Sequence, residues 1–167
     1  MAGKLALFGG QDTIKQFTED LFTWPIITKE DEDAVLGVLR TGDMSGTELT
    51  KEFEKEFAIW QKRKLALGFS TGTGSLQAAM FACGVGVGDE IIAPSLTYWA
   101  TALPAFSLGA TVVFADIEEE SLNIDPDEIE RKISPHTKAI VVVHYVGYPA
   151  DMDRIMEISK SRGIPVI

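Results

Sequence analysis

Apolar positions in the first third of the chain fall at helical spacing, and from Lys64 onward they gather in short runs separated by helical stretches. Residues 1–27 carry no regular period. Their aromatic and proline content (Phe17, Phe22, Trp24, Pro25) predicts an arm packed on another surface. Thr28 followed by Asp31 fits a helix cap, and Val35, Leu36, Val38 and Leu39 supply one apolar face up to Gly42. Asp43-Met44-Ser45-Gly46 reads as a turn. A second amphipathic helix is expected over Thr47–Lys62, with Leu49, Phe53, Phe57 and Trp60 as its core face. Then strands and helices alternate. Strands are expected at Leu65–Phe69, Glu90–Ala93, Thr111–Ala115 and Lys138–His144, with another beginning at Ile164. Helices are expected at Thr73–Cys83, Tyr98–Leu108, Asp125–Ile133 and Asp151–Arg162, the last closed by Gly163.

That alternation, with strands apolar throughout, predicts an α/β fold: a mostly parallel sheet covered by helices on both faces, a three-layer α/β/α sandwich. The chain divides at this level into an N-terminal arm with its helices, 1–63, and a sheet-bearing region, 64–167. Because α/β folds hold ligands past the carboxyl ends of their strands, a chain reaching Ile167 in mid-strand is expected to be the N-terminal part of something longer.

Composition narrows the partners. Of 167 residues, 46% are apolar and 24% charged, the balance of a globular protein, and the net charge is −10. No lysine- or arginine-rich stripe offers a surface to nucleic acid or to an anionic membrane. The N-terminus lacks the apolar core of a signal peptide and no stretch approaches a spanning length, so a cytoplasmic protein is expected. The single cysteine, Cys83, lies in an apolar run, where it reads as a buried, inert thiol rather than a nucleophile.

The chemistry concentrates at Ser70-Thr71-Gly72-Thr73-Gly74. A strand that breaks on glycines and opens into a helix aims free N–H groups and the positive end of a helix dipole at one spot, which suits a phosphate. A dinucleotide fold is disfavoured: Gln77 stands where a third glycine is required, and the next strand ends Ala93-Pro94-Ser95 rather than on an acid. A Walker loop is excluded by the lack of a lysine after the glycines. In the following loop, Tyr98 and Trp99 are placed to stack on a flat heteroaromatic ring, one facing the ring and the other packing into the sheet. Phosphate plus aromatic ring suggests pyridoxal phosphate, which needs a phosphate cradle, a carboxylate for its pyridine nitrogen and a lysine. No metal-ligand cluster is apparent. His144, ending the most apolar strand, reads either as a ligand contact or as a structural histidine. Asp116 reads as a turn cap or a functional acid, and His136 as solvated.

The sequence resembles the DegT family of sugar aminotransferases, pyridoxal-phosphate enzymes of fold type I. The resemblance is carried by Trp24-Pro-Ile-Ile, Ser70-Thr-Gly-Thr-Gly-Ser-Leu, Gly86-Val-Gly-Asp-Glu-Ile-Ile-Ala-Pro-Ser, Gly109-Ala-Thr-Val-Val-Phe-Ala-Asp-Ile, Asn123-Ile-Asp-Pro, Val143-His-Tyr-Val-Gly and Pro149-Ala-Asp-Met-Asp, in that order. It implies that Gly72, Thr73 and Gly74 hold the cofactor phosphate and that Tyr98 covers its ring. It implies that Trp24 and the turn around Ser45 help line the substrate entrance; His144 is a substrate candidate only by its place at the strand end. Gly74 replaces the family's usual alanine. Leu96 and Trp99 depart from the usual aromatic and small aliphatic, which bears on ring and substrate packing.

The resemblance places the pyridine-binding aspartate and the Schiff-base lysine beyond Ile167, so no catalytic residue is assigned within 1–167. The segment alone is expected neither to transaminate nor to fold stably, because the strand at Leu65 lacks its neighbours. The implied activity moves an amino group from glutamate or glutamine to a keto group on a nucleotide-linked sugar or cyclitol. The implied setting is polysaccharide or secondary-metabolite biosynthesis, in a homodimer. Two alternatives remain: a sugar dehydratase of the same fold with histidine for lysine, or a non-catalytic remnant or regulator.

Overall fold

Strand β1 (Glu90–Pro94) is buried on both sides, and this fixes the layers of the fold. The structure is a computed structural model that describes residues 4–16, 23–43 and 45–167. β1 lies between β2 (Thr111–Ala115) and β3 (Thr137–Ile140), parallel to both. Its register with β2 runs from Glu90 opposite Thr111 to Pro94 opposite Ala115. Alternation along β1 sends Ile91 and Ile92 to opposite faces. Ile91 packs with Met80, Val85, Ala105 and Val141, under α3 (Gly72–Ala82) and α4 (Leu103–Ser107). Ile92 packs with Ile124, Ile129, Ile155 and Ile158, under α5 (Pro126–Lys132) and α6 (Met152–Arg162). The expected helix-sheet-helix sandwich is therefore present.

By contact the chain forms two compact units, Met1–Lys51 and Glu52–Ile167. In the first, α1 (Lys29–Thr41) starts on a capping box: Thr28 Oγ1 accepts the Asp31 N–H and the Asp31 carboxylate accepts the Thr28 N–H. Gly42 ends α1 and Gly163 ends α6, each in the left-handed conformation that glycine adopts without strain. Of the expected arm and turn, Phe17, Phe22 and Met44 lie outside the described residues. Trp24 is exposed.

Five expectations are corrected. Leu65–Phe69 forms no strand: a strand exists by pairing, and among the described residues none pairs with it. The aromatic stripe of α2 (Glu48–Trp60) is not a core face, since only Ala58 is buried there. Phe57 instead meets Phe53 and Trp60 in tilted contacts, with ring centroids 5.7 and 5.5 Å apart. The single helix expected over Tyr98–Leu108 is split into a 3-10 turn, Trp99–Thr101, and α4. Pro104 is the cause, because its ring excludes the carbonyl four residues back and it lacks an N–H. β3 ends at Ile140 rather than His144, although Val141 N–H still reaches Ile92 O and Val142 N–H reaches Ile167 O. Cys83 is half-buried, at the edge of the α3 core, not fully buried.

Of the strand expected from Ile164, a single bridge is formed. Ile140 pairs in parallel with Val166, on the side of β3 away from β1. Across α5 and α6, Arg154 reaches Asp127, Glu130 and Glu157, while Arg162 also reaches Glu130. These exposed pairs each contribute under about 1 kcal/mol. No helix among the described residues is long and apolar enough to cross a membrane.

Candidate functional site

The first turn of α3 is built by its cap. Thr71 is extended (φ −150°, ψ 152°), and its hydroxyl accepts the Gly74 N–H at 3.0 Å. Ser75 N–H makes the first helical bond, to Thr71 O, and Ser75 Oγ donates to Gly72 O at 2.7 Å. Gly72 and Thr73 N–H have no partner among the described residues, and neither does the Thr73 hydroxyl. Two free amides on the helix axis, with a hydroxyl beside them, suit a phosphate. This refines the expectation for the turn. Gly72 and Thr73 offer open donors, whereas Gly74 already gives its N–H to Thr71.

Tyr98 sits just before the 3-10 turn, which packs on α3 together with α4. Gln77 Nε2 donates to Ser107 Oγ at 3.3 Å across that contact. Tyr98 and Trp99 meet edge-on, centroids 5.7 Å apart, and remain 67% and 63% exposed. Neither packs into the sheet, which corrects the expected division of labour: both rings are available to a ligand. Below them, Thr97 and Thr101 hydroxyls bond at 2.7 Å and tie the loop to the turn that follows.

Past β3, His144 is exposed and its Nδ1 accepts the Ala150 N–H at 3.1 Å. Its other nitrogen therefore carries the hydrogen in the neutral ring. The loop it opens is held by Asn123, which is 1% exposed. Asn123 Oδ1 accepts the Tyr145 N–H at 2.8 Å and its Nδ2 donates to Tyr148 O at 3.1 Å. Asp116 caps its own turn by accepting the Ile117 N–H, and His136 is exposed. Trp24 and Ser45 belong to the first unit, and both are exposed.

Three contributors escaped the sequence. Thr71 could have been found as a cap residue before a glycine pair. Asn123 lay inside a noted motif, but nothing in one sequence marks it as buried. Glu54, whose carboxylate accepts the Gly68 N–H at 2.7 Å, carries no sequence signal at all. Glu54 also lines a cleft of about 510 Å³ with Phe53, Phe57, Leu67, Thr71 and Gly72. Thr73, Gly74 and Tyr98 do not line it, so the cleft meets the turn only from the Thr71, Gly72 and Ser75 side. No group of three histidines, cysteines or acids among the described residues could hold a metal.

Comparison with known proteins assigns the family. Residues 25–167 match the DegT/DnrJ/EryC1/StrS aminotransferase family. The chain is 40% identical over 146 residues to the spore coat polysaccharide biosynthesis protein SpsC of Bacillus subtilis, covering 87% of this chain and 38% of that protein. It is 40% identical over 151 residues to L-glutamine:2-deoxy-scyllo-inosose aminotransferase of Streptomyces kanamyceticus, covering 86% of this chain and 35% of that one. In structure it superposes with TM-score 0.79 and 30% identity on Spr1654 of Streptococcus pneumoniae, solved in PLP and PMP forms, over 84% of this chain and 36% of that one. The chain thus spans under two fifths of the length of the relatives it matches. The 143 residues from 25 to 167 (167 − 24) cover far more than half of the sequence, and the chain belongs to the DegT/DnrJ/EryC1/StrS aminotransferase family.

Proposed function

We propose that the whole protein is a pyridoxal-phosphate-dependent aminotransferase. It takes an amino group from an amino acid, glutamate or glutamine, and delivers it to a keto group on a nucleotide-linked sugar or a cyclitol. The observation that carries the reading is the pair of open amides at Gly72 and Thr73, on the helix N-terminus of a chain that belongs to this family. The donor set fits the cofactor. Gly72 and Thr73 N–H and the Thr73 hydroxyl take the phosphate, and Gly74 joins them only where Thr71 releases its amide. Tyr98 covers the ring from its exposed position before the 3-10 turn. The bound cofactor supplies an electron sink that makes the carbon–nitrogen bond labile in both directions.

The names of the two curated relatives support a sugar or cyclitol substrate, and His144 offers its Nε2–H to a substrate oxygen. Trp24 and Ser45 are proposed at the substrate entrance. Residues 64–167 form the first half of the cofactor domain, residues 1–63 its N-terminal arm and helices. The remaining catalytic groups lie elsewhere in the whole protein, which works as a cytoplasmic homodimer in polysaccharide or secondary-metabolite biosynthesis.

Borohydride reduction followed by intact mass of the whole protein tests this reading. One reduced pyridoxyl group per chain is expected, with loss of that adduct when the phosphate turn is disabled by Thr73→Pro. A chain that takes no pyridoxyl group at saturating pyridoxal phosphate sinks the aminotransferase reading.

A further inference from the structure

One side chain of α2 reaches the segment that leads into the phosphate turn. From Lys64 to Ser70 the main chain pairs with no strand among the described residues. Among the described residues, one hydrogen bond from those seven positions (70 − 63) reaches another element: Gly68 N–H to Glu54 Oε1, at 2.7 Å. A carboxylate acceptor at this length makes a charge-assisted bond, roughly twice as strong as a neutral one. Glu54 is half-buried on α2 beside Phe53, Phe57 and Ala58, so the helix itself limits its movement.

The consequence falls just downstream, at Thr71. Thr71 must keep its extended backbone to cap α3, and its orientation sets where the Gly72 and Thr73 amides point. An anion held by main-chain donors depends on their alignment, because hydrogen bonds weaken steeply off axis. We infer that Glu54 is a positioning residue for the anion-binding turn: by accepting the Gly68 N–H it fixes the segment that carries Thr71, Gly72 and Thr73. Glu54 makes no contact with the anion in this role. Its negative charge on the same cleft as Thr71 and Gly72 works against anion binding, so its contribution comes from the bond and not from its charge.

This inference rests on the proposed phosphate site, and the test separates the two. In the whole protein, freed of cofactor, the dissociation constants of pyridoxal phosphate and of pyridoxal are measured by equilibrium dialysis. Their ratio isolates what the phosphate adds, and a general loss of stability does not move it. Wild type is expected to prefer pyridoxal phosphate strongly. Glu54→Ala is expected to lose about tenfold of that preference, with pyridoxal binding changed by less than about twofold. Glu54→Gln keeps an acceptor for Gly68 and removes the charge, so it should retain the wild-type preference or exceed it. Where the alanine variant does not fold, Glu54→Met keeps the apolar stem without the acceptor and carries the same expectation. A wild-type preference that survives both Glu54→Ala and Glu54→Met overturns the positioning role alone, and so does a Glu54→Gln variant as impaired as alanine. A wild type with no preference overturns the phosphate site itself, and the positioning role with it.

Discussion

Ala150 donates its main-chain N–H to Nδ1 of His144, and so leaves Nε2 as the hydrogen-bearing nitrogen of the neutral ring. One nitrogen holds the loop and the other is left for the proposed substrate contact, and substitution can separate the two. His144→Asn places an amide oxygen near the Nδ1 position and has nothing at Nε2. His144→Gln reaches the Nε2 position and gives up the Nδ1 acceptor. We expect the asparagine variant of the whole protein to keep its thermal midpoint within about 2 °C. Its KM for the keto acceptor should rise between about two- and tenfold, the range of one neutral hydrogen bond. The glutamine variant should show the reverse. A wild-type KM in His144→Asn would leave His144 a structural residue only.

Asn123 holds the same loop from below, and both halves of its amide are used, on Tyr145 N–H and Tyr148 C=O. Its burial makes the loss expensive, because each abandoned group costs about 1–3 kcal/mol when water cannot replace the partner. Asn123→Ala is expected to destabilise the whole protein by roughly 2–4 kcal/mol in thermal unfolding and to speed hydrogen exchange at the Tyr145 amide. Asn123→Asp keeps the acceptor for Tyr145 but sets a carboxylate oxygen against the Tyr148 carbonyl, so it should be no better than alanine. Unchanged exchange at Tyr145 in Asn123→Ala would contradict the clamp.

The sheet was legible because its strands are apolar on both faces, and Thr111–Ala115 was read to the residue. Helix ends were legible wherever a cap is spelled locally, as at Thr28, Gly42 and Gly163. What failed depends on partners that one segment cannot announce. Leu65–Phe69 has strand composition but no neighbour, and the α2 aromatics have helical spacing but nothing described to cover them. The site divided in the same way. The glycine turn and Tyr98 stand out in the sequence. The consumption of the Gly74 amide by Thr71 and the grip of Glu54 on Gly68 are three-dimensional facts.

Cys83 closes α3 half-buried against the cluster that contains Met80, Val85 and Ile91, and burial pushes its thiol above the ordinary value of 9.0. A thiol at that ordinary value is only about 1% thiolate at pH 7, and Cys83 has less. Iodoacetamide at pH 7 should therefore modify Cys83 in the whole protein several-fold more slowly than it modifies glutathione. Cys83→Ala should leave the pyridoxal phosphate dissociation constant within about twofold. Rapid alkylation with loss of cofactor would make the thiol part of the site.

Asp31 gives the first helix a pH dependence of known sign. The Thr28 main-chain N–H, and after it the Thr28 hydroxyl, hold its carboxyl below the ordinary 3.8, against a smaller opposing effect of burial. A folded-state value below the unfolded one means that the capping box stabilises the ionised form. Its contribution is full above about pH 4 and disappears as the pH falls through the lowered value. Exchange at the Asp31 and Glu32 amides, corrected for intrinsic rates, should accelerate as the pH drops from about 5 to below 3. Asp31→Asn keeps an acceptor for Thr28 and cannot titrate in this range, so its corrected exchange should be flat. A wild type as flat as Asp31→Asn would show that the box contributes nothing through ionisation, and parallel acceleration in both would assign the fraying to other carboxylates of the helix.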